Sequence, residues 1–364
     1  MPDLNEATIL ETLKQINYPG FSRDIVSFGL VRSITLGDTA VTIQLAITTS
    51  NATVPQQLKT AVEAAVAALP DVKQVIVHVA VTQPQGQPNA GTNQPASQSR
   101  VSLPGVQHCI AIASGKGGVG KSTLTVNLAC ALQQQLTKQN RPDTIAILDA
   151  DIYGPSIPLM LGIHDQPTVA HGKLQPMQQY GIEVMSMGLL IDETAPVAWR
   201  GPMVTKTIQQ FIRDVDWQDI AILLVDLPPG TGDAHLTLTQ SLALDGAIVV
   251  TTPQTVAVQV AQRGAQLFPK VDVSILGVVE NMSFLQDSHS GQQQYLFGQG
   301  GGQQTADALG VPLLGQIPLD MAIRQGGDEG RPVMTDVSES TAAQAFGQLA
   351  QTVLTLVDGF SNTA

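Results

Sequence analysis

The chain has 364 residues, 43% of them hydrophobic, and its 30 acidic and 18 basic side chains give a net charge of -12. At roughly 150 residues per domain this length predicts two or three domains with a sizeable core, and the composition excludes disorder as the main state. Residues 1–82 carry 5 basic and 7 acidic groups and residues 101–364 carry 12 and 23, an acidic balance that opposes the phosphate contacts of a DNA partner.

In the first segment Asn5 is placed to cap a helix whose apolar face is Ile9, Leu10, Leu13 and Ile16, and Tyr18-Pro19-Gly20 ends it. Val41, Ile43, Leu45 and Ile47 alternate with Thr42, Gln44, Ala46 and Thr48, the pattern of a half-buried strand. Pro55 suits a helix start, with Leu58, Val62, Ala65, Val66 and Leu69 as its stripe, and a last strand is expected from about Val72 to Val79. The predicted order is α-β-β-α-β, a small α+β domain over residues 1–82. Residues 83–100 read QPQGQPNAGTNQPASQSR, without a large apolar side chain, and are expected to be a flexible linker spanning roughly 20–25 Å.

Beyond the linker, residues 101–364 alternate strands and helices. Apolar runs at 109–113, 144–148, 220–225, 246–250, 273–279 and 311–317 read as strands buried on both faces. Helical patterns fall at 121–139, 203–214, 233–243, 255–267 and 341–357. Such alternation predicts an α/β domain, a mainly parallel sheet covered by helices on both faces.

Directly after the run Ile110-Ala111-Ile112-Ala113 stands Gly115-Lys116-Gly117-Gly118-Val119-Gly120-Lys121-Ser122-Thr123, opening a helix. This is G-x-x-x-x-G-K-[ST] in its strand–loop–helix setting, the phosphate loop of a P-loop NTPase. Backbone amides freed by the glycines, together with the helix N-terminus, would cradle the phosphates of ATP. Lys121 would reach the β- and γ-phosphates, and the Ser122 hydroxyl would ligate Mg²⁺. Lys116 is a second lysine in the loop; it is expected to point at a neighbour's nucleotide and act in trans, like an arginine finger.

Two carboxylate clusters follow predicted strands: Asp149-Ala150-Asp151, and Asp226-Leu227-Pro228-Pro229-Gly230-Thr231-Gly232-Asp233. Ligands of open α/β sheets gather at the carboxyl ends of strands, so both clusters should face the loop. Asp226 fits the carboxylate behind hydrated Mg²⁺, with Asp149 supporting the same shell. Asp151 would orient the attacking water, and Gly230 would offer its amide to the γ-phosphate from a switch segment over 226–233.

KGGVGKST with DADIYGPSIP (149–158), WRGPM (199–203), DLPPGTGD (226–233) and ENMS (280–283) resembles the Mrp/ApbC family of P-loop ATPases, relatives of MinD, ParA and the nitrogenase iron protein. The resemblance covers about 105–358, and residues 1–82 resemble the small iron–sulfur assembly domain often fused ahead of it. It implies an ATP-dependent homodimer that carries iron–sulfur clusters to apoproteins or works with assembly factors. By position Asn281 matches the residue that reads adenine, and Pro318-Leu319-Asp320 lies in the loop flanking the base.

Two departures stand out. Cluster-carrying relatives have C-x-x-C shortly after ENMS, whereas Phe284 to Gly298 contains no cysteine, and Thr53-Val54-Pro55 replaces the cysteine that commonly precedes a proline in the small domain. No iron–sulfur ligand is therefore identified. Cys109 and Cys130 fall in apolar runs and are expected to pack as small hydrophobes, and Asp287 with His289 is expected to be a solvated loop. His108 and His235 have no spaced partner; Trp199 reads as a packing anchor and Arg200 as a contact of the dimer interface.

No apolar run of about 18 residues offers a membrane span, the first residues lack the basic start and apolar stretch of a signal peptide, and two cysteines make no disulfide framework. The expected compartment is the cytoplasm. Two other functions compete with cluster carriage. A positioning ATPase like MinD or ParA would end in a basic amphipathic helix, but nothing after Arg331 is basic. A cluster-free switch, in which ATP state controls partner docking through the small domain, is favoured over positioning by the lost cysteines.

Overall fold

The computed structural model describes residues 5–16, 25–26, 30–36, 40–48, 54–69, 72, 74–82, 100–151, 154–170, 172–190, 212–230, 232–287, 289–335 and 340–361. These form two compact units, one within the first 96 residues and one beyond them. The linker (apart from Arg100), Tyr18-Pro19-Gly20, Thr53, WRGPM and all but 212–214 of the helix expected at 203–214 lie outside the described residues.

In the first unit α1 (Glu6–Leu13) begins as expected, with the Asn5 side chain accepting the Thr8 N–H at 2.9 Å. Next come β1 (Val31–Leu36), β2 (Ala40–Thr48), α2 (Val54–Ala67) and β3 (Gln74–Thr82). β2 is central, antiparallel to β1 and parallel to β3. Its alternation aims Val41, Ile43 and Leu45 at Ile9, Leu13, Leu58, Val62 and Val66, which close a separate core.

The second unit is built on an eight-stranded sheet. Its strands are β4 (Val106–Ser114), β5 (Thr144–Asp149), β8 (Met177–Gln179), β9 (Ile182–Ser186), β10 (Ile220–Asp226), β11 (Gly246–Thr251), β12 (Ile275–Glu280) and β15 (Leu313–Gln316). The order is β15-β12-β11-β4-β10-β5-β9-β8, with every neighbouring pair parallel except β8 and β9. Two small hairpins stand apart from it, β6 (Val169–Ala170) with β7 (Lys173–Leu174), and β13 (Leu285–Gln286) with β14 (Gln293–Gln294).

Because successive strand residues point to opposite faces, each strand feeds two cores. Ile110, Ile112, Ile145, Ile147, Ile222 and Leu224 meet α3 (Lys121–Lys138) and the C-terminal helix on one side. Cys109, Ala111, Ala146, Leu148, Leu223 and Val225 meet Leu238, Phe268 and Trp217 on the other. The expected sheet, mainly parallel and covered on both faces, is what the chain forms.

The remaining helices are α4 (Ile157–Leu161), α5 (Asp233–Ser241), α6 (Thr255–Ala265), α7 (Leu267–Lys270), α8 (Gly301–Leu309), α9 (Met321–Asp328) and α10 (Thr341–Ser361). The expected helix at 255–267 divides after Ala265, with Pro269 in the short turn that follows. From β4 the chain crosses beyond β10 to reach β5, and later returns to the far side as β11. β4 is thus the switch point of the sheet, where a crevice opens at the carboxyl ends.

Candidate functional site

The crevice is lined by Ser114, Lys116 to Thr123, Asp151, Ser156, Met160 and Pro229. It begins where β4 ends at Ser114 and α3 starts at Lys121, so the loop between them presents its amides and the N-terminus of an 18-residue helix to one place. Two glycines are required by their neighbours. A Cβ on Gly115 would lie 2.4 Å from the Val260 backbone in α6, and one on Gly120, where φ is +77°, would lie 2.2 Å from Asn281 Nδ2. Gly117 and Gly118 have no atom within 4 Å of such a position, which leaves that side of the loop open to a ligand.

Behind the loop lies a buried polar cluster. Asp226 Oδ2 accepts from Lys121 Nζ and from Ser122 Oγ, both at 2.6 Å, and Oδ1 accepts from Thr125 Oγ1 at 2.7 Å. Asp149 stands directly beside it, because β5 and β10 pair in register there. Its Oδ2 accepts Ser186 Oγ at 2.8 Å and its Oδ1 the Asp151 N–H at 3.2 Å. Both carboxylates are fully buried, and one ammonium serves the pair. Burial first, then the charge of Asp226, pushes the Asp149 carboxyl up to about 7; the Ser186 and Asp151 donors and Lys121 oppose the rise.

The switch segment hangs from the strand ends. Leu227 N donates to Ile112 O at 3.1 Å and Gly230 N to Ser114 O at 3.0 Å, with Gly230 at φ +85°. The amide expected at a γ-phosphate is therefore held by the end of β4 in this structure. Asn281, expected at adenine, is likewise engaged: its Nδ2 donates to Val119 O at 2.8 Å and its Oδ1 accepts Met282 N–H at 3.0 Å. That leaves the amide one hydrogen and one lone pair. Pro318 is buried where two loops are zipped together, Ser283 N donating to Ile317 O at 2.9 Å and Leu319 N to Phe284 O at 2.7 Å.

Lys116 lines the crevice, half-buried, and among the described residues its ammonium has no hydrogen-bond partner. Asp151 reaches the crevice rim, its Oδ1 accepting Gly154 N–H at 3.3 Å. Gly117, Gly118, Gly120, Lys121, Ser122 and Asp151 thus converge on the crevice, while Asp226 and Asp149 support them from behind rather than lining it.

Sequence reasoning missed Thr125, Ser186, Ser156 and Met160. Thr125 had a signal, since it lies one helical turn beyond Lys121 on the same face. Ser186 had none, because nothing local announces that β9 pairs with β5. It also missed Glu280, fully buried at the end of β12, which takes hydrogen bonds from Ser283, from Gln316 at 2.8 Å and from the Gly302 amide, and so fixes the Asn281 loop.

The cysteines lie elsewhere. Cys109 faces one core and Cys130 the other, both buried. Burial, with Asp245 adding to it, drives the Cys109 thiol far above its ordinary range, and burial pushes Cys130 up to about 12. Asp287 and His289 form a capped turn, with Asp287 Oδ1 accepting the His289 and Ser290 amides at 3.1 and 2.7 Å. Among the described residues no three His, Cys, Asp or Glu side chains converge on a metal position.

Residues 105–354 match the family of NUBPL iron-transfer P-loop NTPases, and residues 6–79 match that of iron–sulfur cluster assembly proteins. An iron–sulfur cluster carrier protein of Synechocystis is 40% identical over 356 residues, 96% of this chain and 97% of that one. The chain belongs to the iron–sulfur cluster carrier family of P-loop ATPases. Among solved structures, a nucleotide-binding protein of Archaeoglobus fulgidus in complex with ADP aligns with a TM-score of 0.54 and 36% identity, over 62% of this chain and 87% of that one. The cell division ATPase MinD of Pyrococcus furiosus aligns at 0.50 with 26% identity, over 68% and 99%. This carrier ATPase thus combines the expected nucleotide fold with the expected small domain. No described helix is long and apolar enough to cross a membrane.

Proposed function

We propose that this carrier ATPase works in the cytoplasm as a homodimer, binds ATP with Mg²⁺ at the crevice, and uses hydrolysis to hand iron–sulfur cargo to apoproteins. The observation that carries the catalytic part is the Lys121–Asp226–Ser122 cluster behind an open glycine loop. Two buried carboxylates share one ammonium, so the cluster favours an added cation. The donors are hard oxygens, and Ser122, which gives its proton to Asp226, keeps lone pairs for a metal. Ser122 would hold Mg²⁺ with Asp226 and Asp149 behind it, and the ion would neutralise charge on the β- and γ-phosphates. Lys121 binds those phosphates, Asp151 orients the attacking water, Gly230 exchanges Ser114 for the γ-phosphate, and Asn281 with Pro318 borders the base.

Two observations support the homodimer. Among the described residues the half-buried Lys116 ammonium has no hydrogen-bond partner, which leaves it available to a nucleotide held by a second chain. Exposed apolar side chains also follow the carboxyl ends of four strands on that same side of the sheet: Leu159 after β5, Val256 after β11, Leu296 after β12 and Met321 after β15. Lys116→Ala should lower kcat and spare ATP binding. Mixed with Lys121→Ala chains it should regain activity, because a mixed dimer rebuilds one complete site. A mixture that hydrolyses no faster than either variant alone would remove the in-trans role.

The cargo needs ligands that this chain's thiols do not offer, since both cysteines are buried on opposite faces of the sheet. We propose that partner proteins, small thiols or oxygen and nitrogen donors hold it during transfer. The same observation favours the second reading, a cluster-free ATP switch acting on partners through the small domain. Residues 83–100 would tether that domain, and their composition predicts first cleavage there in limited proteolysis, leaving two stable fragments. Initial cleavage within 121–139 would contradict it.

A further inference from the structure

His235 is the third residue of α5 and is 2% exposed, yet nothing in the catalytic reading uses it. Its surroundings follow from the two prolines before it. Pro228 and Pro229 have no N–H, so between Leu227 and Gly230 the switch turn has no amide of its own to give. Pro228 is buried, and its carbonyl still needs a donor. The imidazole supplies one, with Nδ1 3.3 Å from Pro228 O.

The ring is held from the other side by Phe268 of α7, their centroids 5.6 Å apart. Among the described residues Nε2 has no hydrogen-bond partner. Burial lowers the imidazole pKa, and the positive charge of Lys121 lowers it further, against the carbonyls of Pro228 and Gly230. A neutral ring has a single N–H, and this geometry places it on Nδ1.

We propose that His235 is a positioning residue for ATP hydrolysis, pinning the Pro228 carbonyl so that Gly230 can swing between Ser114 and the terminal phosphate on a fixed root. The inference rests on the reading that residues 226–230 answer to bound phosphate. Upstream of the turn Asp226 and Leu227 are fixed at the sheet end, and beyond it Gly230 has its amide on Ser114 O, a left-handed φ, and its carbonyl near the His235 ring. Pro228 and Pro229 are the link between these two regimes, and His235 holds the first of them through its carbonyl.

The test compares His235→Leu, which fills the space without a donor, with His235→Gln, whose amide can still donate. The leucine variant should lower kcat by roughly 10- to 100-fold, as misplacement of catalytic groups does, with KM for ATP nearly unchanged. The glutamine variant should recover most of that loss. A folded leucine variant with wild-type kcat, equal losses in kcat and KM, or no recovery by glutamine would overturn the proposal. If the leucine variant does not fold, nitrogen NMR shifts of His235 in the wild-type protein decide. An Nδ1–H tautomer supports the proposal, and an Nε2–H tautomer, which cannot donate to Pro228, overturns it. Absence of hydrolysis in the wild type would instead strike the ATPase reading and take the inference with it.

Discussion

Replacing Lys121 by alanine is expected to lower ATP turnover by roughly a hundredfold or more and to destabilise the nucleotide-free protein as well. The activity loss follows from removing the buried ammonium at the phosphate loop. The stability loss follows from its partner. Lys121 is 6% exposed and Asp226 fully buried, so the substitution leaves a carboxylate in the core beside Asp149 with no other ion-pair partner among the described residues. Breaking a buried pair in this way costs about 3–5 kcal/mol, and the Ser122 and Thr125 hydroxyls that still donate to Asp226 place the expected loss at the lower end. Adding Asp226→Asn should restore stability without restoring turnover. Denaturant unfolding beside an ATPase assay separates the two effects; a Lys121→Ala protein as stable as wild type would show that the pair is not isolated from water.

The Asp149 contribution to the stability of the nucleotide-free protein should fall as pH rises from about 4 to about 7. Asp149 ionises near 3.8 when unfolded but near 7 in the fold, so the folded state binds the extra proton across that interval. Its contribution is present in full below the unfolded value and is lost as pH climbs through the folded one. Three units correspond to something on the order of 4 kcal/mol. This runs against the usual carboxylate trend, in which native pairing is lost at low pH. Asp149→Asn should flatten the curve over the same interval, as should saturating ATP with magnesium. Unfolding curves at successive pH values would show it, and a rise in stability through that interval that Asp149→Asn leaves unchanged would count against a raised Asp149 beside Asp226.

The parts of the fold legible in the sequence are those whose signals are local. The strand runs around Ile110, Ile147 and Val225 are apolar on both faces because helices cover both, and the glycine loop names its own chemistry. Asn5 and Pro55 mark helix starts through backbone rules that need no tertiary context. What escaped was decided by packing. β8 and β9 are short and join the sheet only because β5 offers an edge, and α8 begins with two glycines set by distant contacts, since a Cβ on Gly301 would lie 2.7 Å from the Pro253 carbonyl oxygen and one on Gly302 2.5 Å from the buried Glu280 side chain. α9, with no buried residue, carries too few apolar positions to show a stripe. At the site, the loop, Asp226 and Asp151 were readable from motif and strand end, while Ser186, Glu280 and the grip of His235 on Pro228 depend on contacts between distant segments.

The absence of cysteine from the loop after Asn281 shapes the whole account. A four-iron cluster ordinarily needs four thiolates, and two chains with two cysteines each would supply that number. Position excludes it: Cys109 lies in the central strand and Cys130 in the helix after the phosphate loop, packed into cores on opposite faces of one sheet. Their raised thiol pKa values leave almost no thiolate near neutral pH. The most direct measurement is iron per chain after anaerobic reconstitution with iron and sulfide and removal of loosely bound metal. It should be made on the wild type and on the Cys109→Ala, Cys130→Ala double variant. Equal iron in the two proteins, with ATP hydrolysis retained in both, is the predicted result. A stoichiometric cluster in the wild type that disappears in the double variant would contradict the account.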